Sequence, residues 1–84
     1  LYSDLKVITH KSVALAAQNF MLSMAEIGYD TCPMEGSDTK RVKKILNLPR
    51  KAEITMIIAC GVRNDNGIYS PRFRVPFDEV YKKI

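Results

Sequence analysis

The sequence has no tryptophan and one histidine, and only four glycines, four prolines and two cysteines among its 84 residues. Scarcity of Gly and Pro excludes collagen-like and low-complexity chains, and a 46% hydrophobic, 26% charged composition excludes wholesale disorder. Cys32 and Cys60 show no CxxC spacing and no His-rich neighbourhood, which removes zinc-ribbon and thioredoxin-type sites and predicts free thiols in a reducing compartment. Long apolar runs are missing too. The longest, Ala52 to Val62, contains Glu53 and Thr55 and falls short of the roughly 18 residues of a membrane span, so a soluble, cytoplasmic protein without membrane contact is expected. No basic-then-apolar leader is legible, and Leu1 in place of Met suggests a processed, trimmed or cut N-terminus.

What is present is one small domain's worth of chain with a net charge of +4. A chain this short, folding alone, removes only around 60% of its unfolded-state surface from water, so a partner is expected. From Ser12 to Ile27 the apolar residues Val13, Leu15, Ala16, Phe20, Met21, Met24 and Ile27 recur at helical steps, predicting a helix with a broad apolar face, Ser12 as N-cap and Gly28 as the C′ residue. Asp30 to Ser37 reads as a loop, because Pro33 bars helix and Gly36 permits close backbone approach. A second helix follows, capped by Ser37 or Asp38, with Val42, Ile45 and Leu46 buried and Pro49 as its stop. Glu53 to Gly61 has the pattern of a strand covered on both faces. Asn64 to Gly67 is turn-rich, Ser70 to Pro76 is extended and basic, and Phe77 to Ile84 forms a short helix or an arm. One strand makes no sheet, so its neighbours are expected from elsewhere.

The segment ALAAQNFMLSMAEIGYDTCPMEGSD, from Ala14 to Asp38, resembles the long helix and flavin-contacting loop of the nitroreductase family, FMN-dependent NAD(P)H oxidoreductases. The order downstream is similar. Ile45-Leu46-Asn47-Leu48-Pro49 closes a short helix, Ile54 to Gly61 forms a hydrophobic strand ending in Gly, and Arg72-Phe73-Arg74-Val75-Pro76 places a basic pair before a proline. The resemblance implies an α+β fold and assigns 1–84 to a single partial domain, the C-terminal portion of a nitroreductase-like fold: long core helix, flavin loop, short helix, central strand and extended C-terminal arm. It also implies a homodimer with flavin sites at the interface. The family's N-terminal phosphate-binding segment and middle Asn loop are not found, so this piece alone is expected to be inactive.

Pro33, Met34, Glu35 and Gly36 are the first site candidates. By the family pattern the Glu35 amide faces flavin N5 and the Gly36 amide O4, while Pro33 and Met34 shape an apolar wall. Fixed backbone N–H groups suit the charge that reduction places on the ring. On composition alone, the same residues make an ordinary turn.

Arg72 and Arg74 are the second. Alternate residues of an extended segment point the same way, and two guanidinium groups on one side form bidentate contacts with a phosphate. The resemblance assigns them to the FMN 5′-phosphate; otherwise they protect a sheet edge. No catalytic acid–base pair and no metal set is expected. His10 has no evident nucleophile partner, Cys32 reads as a buried structural thiol, and Gln18 and Asn19 read as the less buried side of their helix.

The function implied is electron transfer from NAD(P)H through FMN to a nitroaromatic, a quinone or a similar small-molecule acceptor. The rival is a small nucleic-acid-binding or non-catalytic interaction module. Lys40, Arg41, Lys43, Lys44, Arg50 and Lys51 form a basic run without an acid. No recognition-helix motif and no aromatic cluster accompanies it, so nucleic acid is not expected as a partner.

Overall fold

The computed structural model describes residues 2–84, with Leu1 outside the described residues. Helix α1 (Tyr2–Glu26) is followed by strand β1 (Asp30–Met34), helix α2 (Thr39–Ile45), strand β2 (Ile57–Gly61), a 3-10 turn at Asp65–Gly67 and a one-turn helix α3 (Phe77–Val80). The architecture is α+β, as the sequence indicates. Among the described residues no helix is long and apolar enough to cross a membrane.

α1 begins ten residues before Ser12, which lies mid-helix and caps nothing. Long-range contacts hold the added turns. Lys6 Nζ lies 2.9 Å from Glu53 Oε1 and His10 Nδ1 lies 2.9 Å from Thr55 Oγ1, so the segment before β2 braces the first half of the helix. At the other end Gly28 adopts φ 90°, while the Tyr29 amide donates to Met24 O and the Gly28 amide to Ala25 O. This is the Schellman ending that Gly28 predicts.

Asp30 to Met34 is a strand rather than part of a loop. It pairs antiparallel with β2 in the register Asp30↔Gly61, Cys32↔Ala59 and Met34↔Ile57. Pro33 obscures this strand in the sequence, yet a proline is tolerated where a strand has a neighbour on one side only. The sheet partner expected from elsewhere therefore lies within the chain itself. β2 is shorter than Glu53 to Gly61, because residues 53–56 run beyond the end of β1, where Glu53 and Thr55 meet α1 instead.

Asp38, not Ser37, caps α2, accepting from the Arg41 amide at 3.2 Å. The helix closes on a second Schellman ending with Asn47 at φ 54°, the Leu48 amide donating to Lys43 O and the Asn47 amide to Lys44 O. The turn expected at Asn64 to Gly67 is a 3-10 turn, capped by the Asn64 side chain. In the C-terminal arm Phe77 and Tyr81 stack with ring centroids 4.7 Å apart.

Very little of the molecule is dry. Ala17, at 9% exposure, is the one buried apolar residue among those described. Ile45 and Leu46 are exposed, contrary to the buried side expected for α2, and β2 is open along Ala59 and Cys60. Among the described residues nothing covers these positions. Cys32 is likewise exposed, not a buried thiol. Since cross-strand partners share a face, the register puts Cys32 with Ala59 on one side and Cys60 with Thr31 on the other, so the two thiols do not pair within the chain.

The end of the ribbon is latched by Asp30. Its carboxylate accepts from Arg63 Nη2 at 2.6 Å and from the Arg63 amide at 3.1 Å. The Arg63 side chain, seconded by its backbone N–H, holds the Asp30 carboxyl below its ordinary value of 3.8.

Two outcomes are expected. Gly28→Ala meets no neighbouring atom, so its cost is that of a Cβ at positive φ, about 1 kcal/mol by urea denaturation. A folded-state pKa below the unfolded one means the Asp30 latch is fully present above pH 3.8 and lost as pH falls through the lowered value. The stability difference between wild type and Asp30→Asn should therefore be constant between about pH 5 and 7 and vanish in acid. Its size should be small, because the pair is exposed to solvent.

Candidate functional site

The sequence candidates fall into two groups, and the β-ribbon determines where each lies. Pro33 and Met34 end β1 opposite Ile58 and Ile57, and Glu35 and Gly36 leave the ribbon from that end. The chain leaving β2 departs from the other end, where Asp30 faces Gly61. Four residue steps of antiparallel strand separate the two ends by roughly 14 Å.

At the first end, the Glu35 and Gly36 amides donate to no acceptor among the described residues. Both residues are exposed, and a Cβ built on Gly36 would meet nothing within 4 Å. The loop thus offers two successive backbone donors with open space beside them. Unpaired N–H groups are costly only when dry, so such donors suit a ligand edge or water.

At the second end lies a groove of about 780 Å³, bordered by Cys32, Cys60, Arg63, Asn64, Ser70 and Arg72. Its two cations differ. Arg63 is engaged by Asp30, whose hydrogen bond offsets the guanidinium charge and raises the pKa of Arg63, whereas Arg72 has no side-chain partner among the described residues. Arg74 lies outside this groove and donates from Nη1 to the carbonyl of Phe73 at 2.9 Å. Of the six candidates, only Arg72 borders the groove; Pro33, Met34, Glu35 and Gly36 belong to the opposite end of the ribbon.

A third cluster escapes a reading of the sequence. His10 sits between Thr55, at 2.9 Å, and Glu53, whose Oε2 is 3.9 Å from Nε2, beside a small groove of about 320 Å³ that Lys6 and Lys51 also line. The hydrogen bond to Lys6 is the main cause that lowers the Glu53 carboxyl from its usual 4.5. These residues brace α1 against the segment before β2. Forty-five positions separate His10 from Thr55, so no local motif signals the contact. Gln18 and Asn19 are exposed on α1, as expected.

Comparison with known proteins gives this geometry its context. Residues 4–62 match the nitroreductase family. The chain is 39% identical over 69 residues to MhqN of Bacillus subtilis, which carries the name of an NAD(P)H nitroreductase; the match covers 82% of this chain and 34% of that protein. It is 34% identical over 73 residues to an NADPH-dependent oxidoreductase of Staphylococcus epidermidis, covering 84% of this chain and 29% of the relative. A Bacillus subtilis crystal structure titled as the nitroreductase ydfN superposes with a TM-score of 0.76 at 38% identity, covering 84% of this chain and 34% of that one. The chain spans about a third of the length of these relatives. With the family matched across most of its residues and the fold shared at appreciable identity, this chain belongs to the nitroreductase family.

Proposed function

We propose that the protein carrying this chain is an FMN-dependent oxidoreductase that takes electrons from NAD(P)H and passes them to a nitroaromatic, a quinone or a similar electron-poor acceptor. The observation that carries the reading is the ribbon's division of labour. Two backbone donors with no acceptor among the described residues follow one end of the ribbon, and an arginine with no side-chain partner borders a groove that reaches the other. That arrangement suits a ligand with a polar ring edge at one end and a phosphate at the other. The relatives' names, NAD(P)H nitroreductase and NADPH-dependent oxidoreductase, support the electron donor.

When bound, FMN supplies the electron-carrying chemistry. This chain's part is to bind and orient it. The Glu35 and Gly36 amides donate to the ring edge at little reorganisation cost, because the Met34↔Ile57 pair anchors the backbone beside them. Pro33 and Met34 form the apolar wall. Arg72 makes charge-assisted bonds to the phosphate, and Arg74 joins it by exchanging its carbonyl bond to Phe73 for a stronger one to an anion. The Glu35 carboxylate is no catalytic base in this scheme.

Association into a homodimer belongs to the same proposal. Leu15 is 72% exposed on α1 and Phe73 76% exposed on the C-terminal arm, apolar surface that another subunit would cover. We assign the complete protein to the cytoplasm and this chain to its C-terminal portion.

The test is flavin content. Purified full-length protein should carry FMN and oxidise NAD(P)H, and Arg72→Ala/Arg74→Ala should lower FMN affinity by about tenfold or more, read by equilibrium dialysis. Unchanged affinity removes the arginines from the phosphate site. A wild-type protein that binds no flavin defeats the whole reading.

A further inference from the structure

The basic run of α2 and the turn after it has no role in the site described so far. Its six cations span residues 40–51 without an acid, and the structure divides them. Lys43 is half-buried and structural: its Nζ donates to Arg50 O at 3.1 Å and to Ala52 O at 3.2 Å, drawing the 50–52 turn back onto the helix. Lys40, Arg41, Lys44, Arg50 and Lys51 are all exposed, and their side chains make no ion pair or hydrogen bond among the described residues.

Helical spacing gathers them. Lys40 and Lys44 are four apart and share one side of α2 with Arg41, while Lys43, three residues after Lys40, borders that side and tethers the Arg50–Lys51 turn next to it. The helix and the turn tied to it by Lys43 thus both carry exposed cations, with Lys51 bordering the groove beside His10 and Glu53. The start of α2 is close to the proposed flavin loop, because four residues from Gly36 to Lys40 span at most about 14 Å.

We propose that this cluster is the subsite for the 2′-phosphate of NADPH, and that it makes the protein prefer NADPH to NADH. The proposal rests on the oxidoreductase reading above. The two dinucleotides differ only by that phosphate, whose charge of about −1.5 to −2 and strong acceptor oxygens call for several cationic donors free of internal partners. Arg41 supplies a planar fork for two oxygens, Lys40 and Lys44 act as point charges, and Lys43 keeps the turn in place. The aromatic residues that stack nucleic-acid bases are absent from 39–52, which favours a discrete phosphate over a polynucleotide.

The experiment compares flavin-loaded full-length protein with its Lys40→Ala/Arg41→Ala variant. The ratio of kcat/KM for NADPH to that for NADH should fall by about tenfold or more. Calorimetry gives a readout independent of turnover: adenosine 2′,5′-bisphosphate should bind wild type more tightly than adenosine 5′-monophosphate, and the variant should lose that difference. Lys44→Glu, a single exposed change, should move both readouts in the same direction should the double variant fold poorly. A flavin-loaded variant with an unchanged ratio overturns this proposal alone. Loss of duplex DNA binding with an unchanged ratio makes the surface a nucleic-acid face and overturns it as well. Wild-type protein without flavin or nicotinamide oxidation overturns both this proposal and the reading beneath it.

Discussion

The pairing of β1 with β2 is the constraint on which the rest of this structure depends. Five residues of each strand lie in register, and the two chain segments that bear site candidates leave from opposite ends. Backbone hydrogen bonds between strands hold that spacing with little freedom. The Schellman turn at Gly28 feeds β1 directly from α1, and the Asp30–Arg63 latch keeps the segment after β2 from peeling away. Local endings and one ion pair thus stiffen a ribbon that would be marginal by itself.

The same ribbon shows why apolar surface matters here. Burial of side chains is the main favourable term in folding, yet Ala17 alone is dry among the described residues. Ile45, Leu46, Leu15 and Phe73 all face outward. The second half of α1 carries the broad apolar face that its sequence shows, with Leu15 and Leu22 on it exposed. The described residues therefore form a hydrogen-bonded framework with little dry core, in a chain that spans about a third of the length of its relatives.

How much of this was legible in the residues varied from element to element. The α1 ending could be read because a glycine after a helical run has a single low-cost conformation at C′, and Asp38 was one of two named caps because its side chain reaches the Arg41 amide. The start of α1 could not, since residues 2–11 carry no clean apolar period and are held by Glu53 and Thr55 from far along the chain. β1 was hidden for a related reason: Pro33 speaks for a loop locally, and only the register with β2 reveals a strand. Burial was the least legible quantity, because a hydrophobic pattern records which faces need cover and not whether the chain supplies it.

By itself, the sequence determined the α+β class, the caps and turns, and the family likeness carried by residues 14–38 and the segments after them, since these rest on local stereochemistry and residue order. Tertiary structure alone decided that Asp30 to Met34 forms a strand, that Arg72 shares a groove with β1 and β2 residues from which Glu35 and Gly36 are absent, and that Lys43 is structural while its basic neighbours have no side-chain partner among the described residues. Each of those depends on a hydrogen bond or a groove formed between residues distant in the chain or on different elements, and such contacts exist only once the backbone has closed on itself.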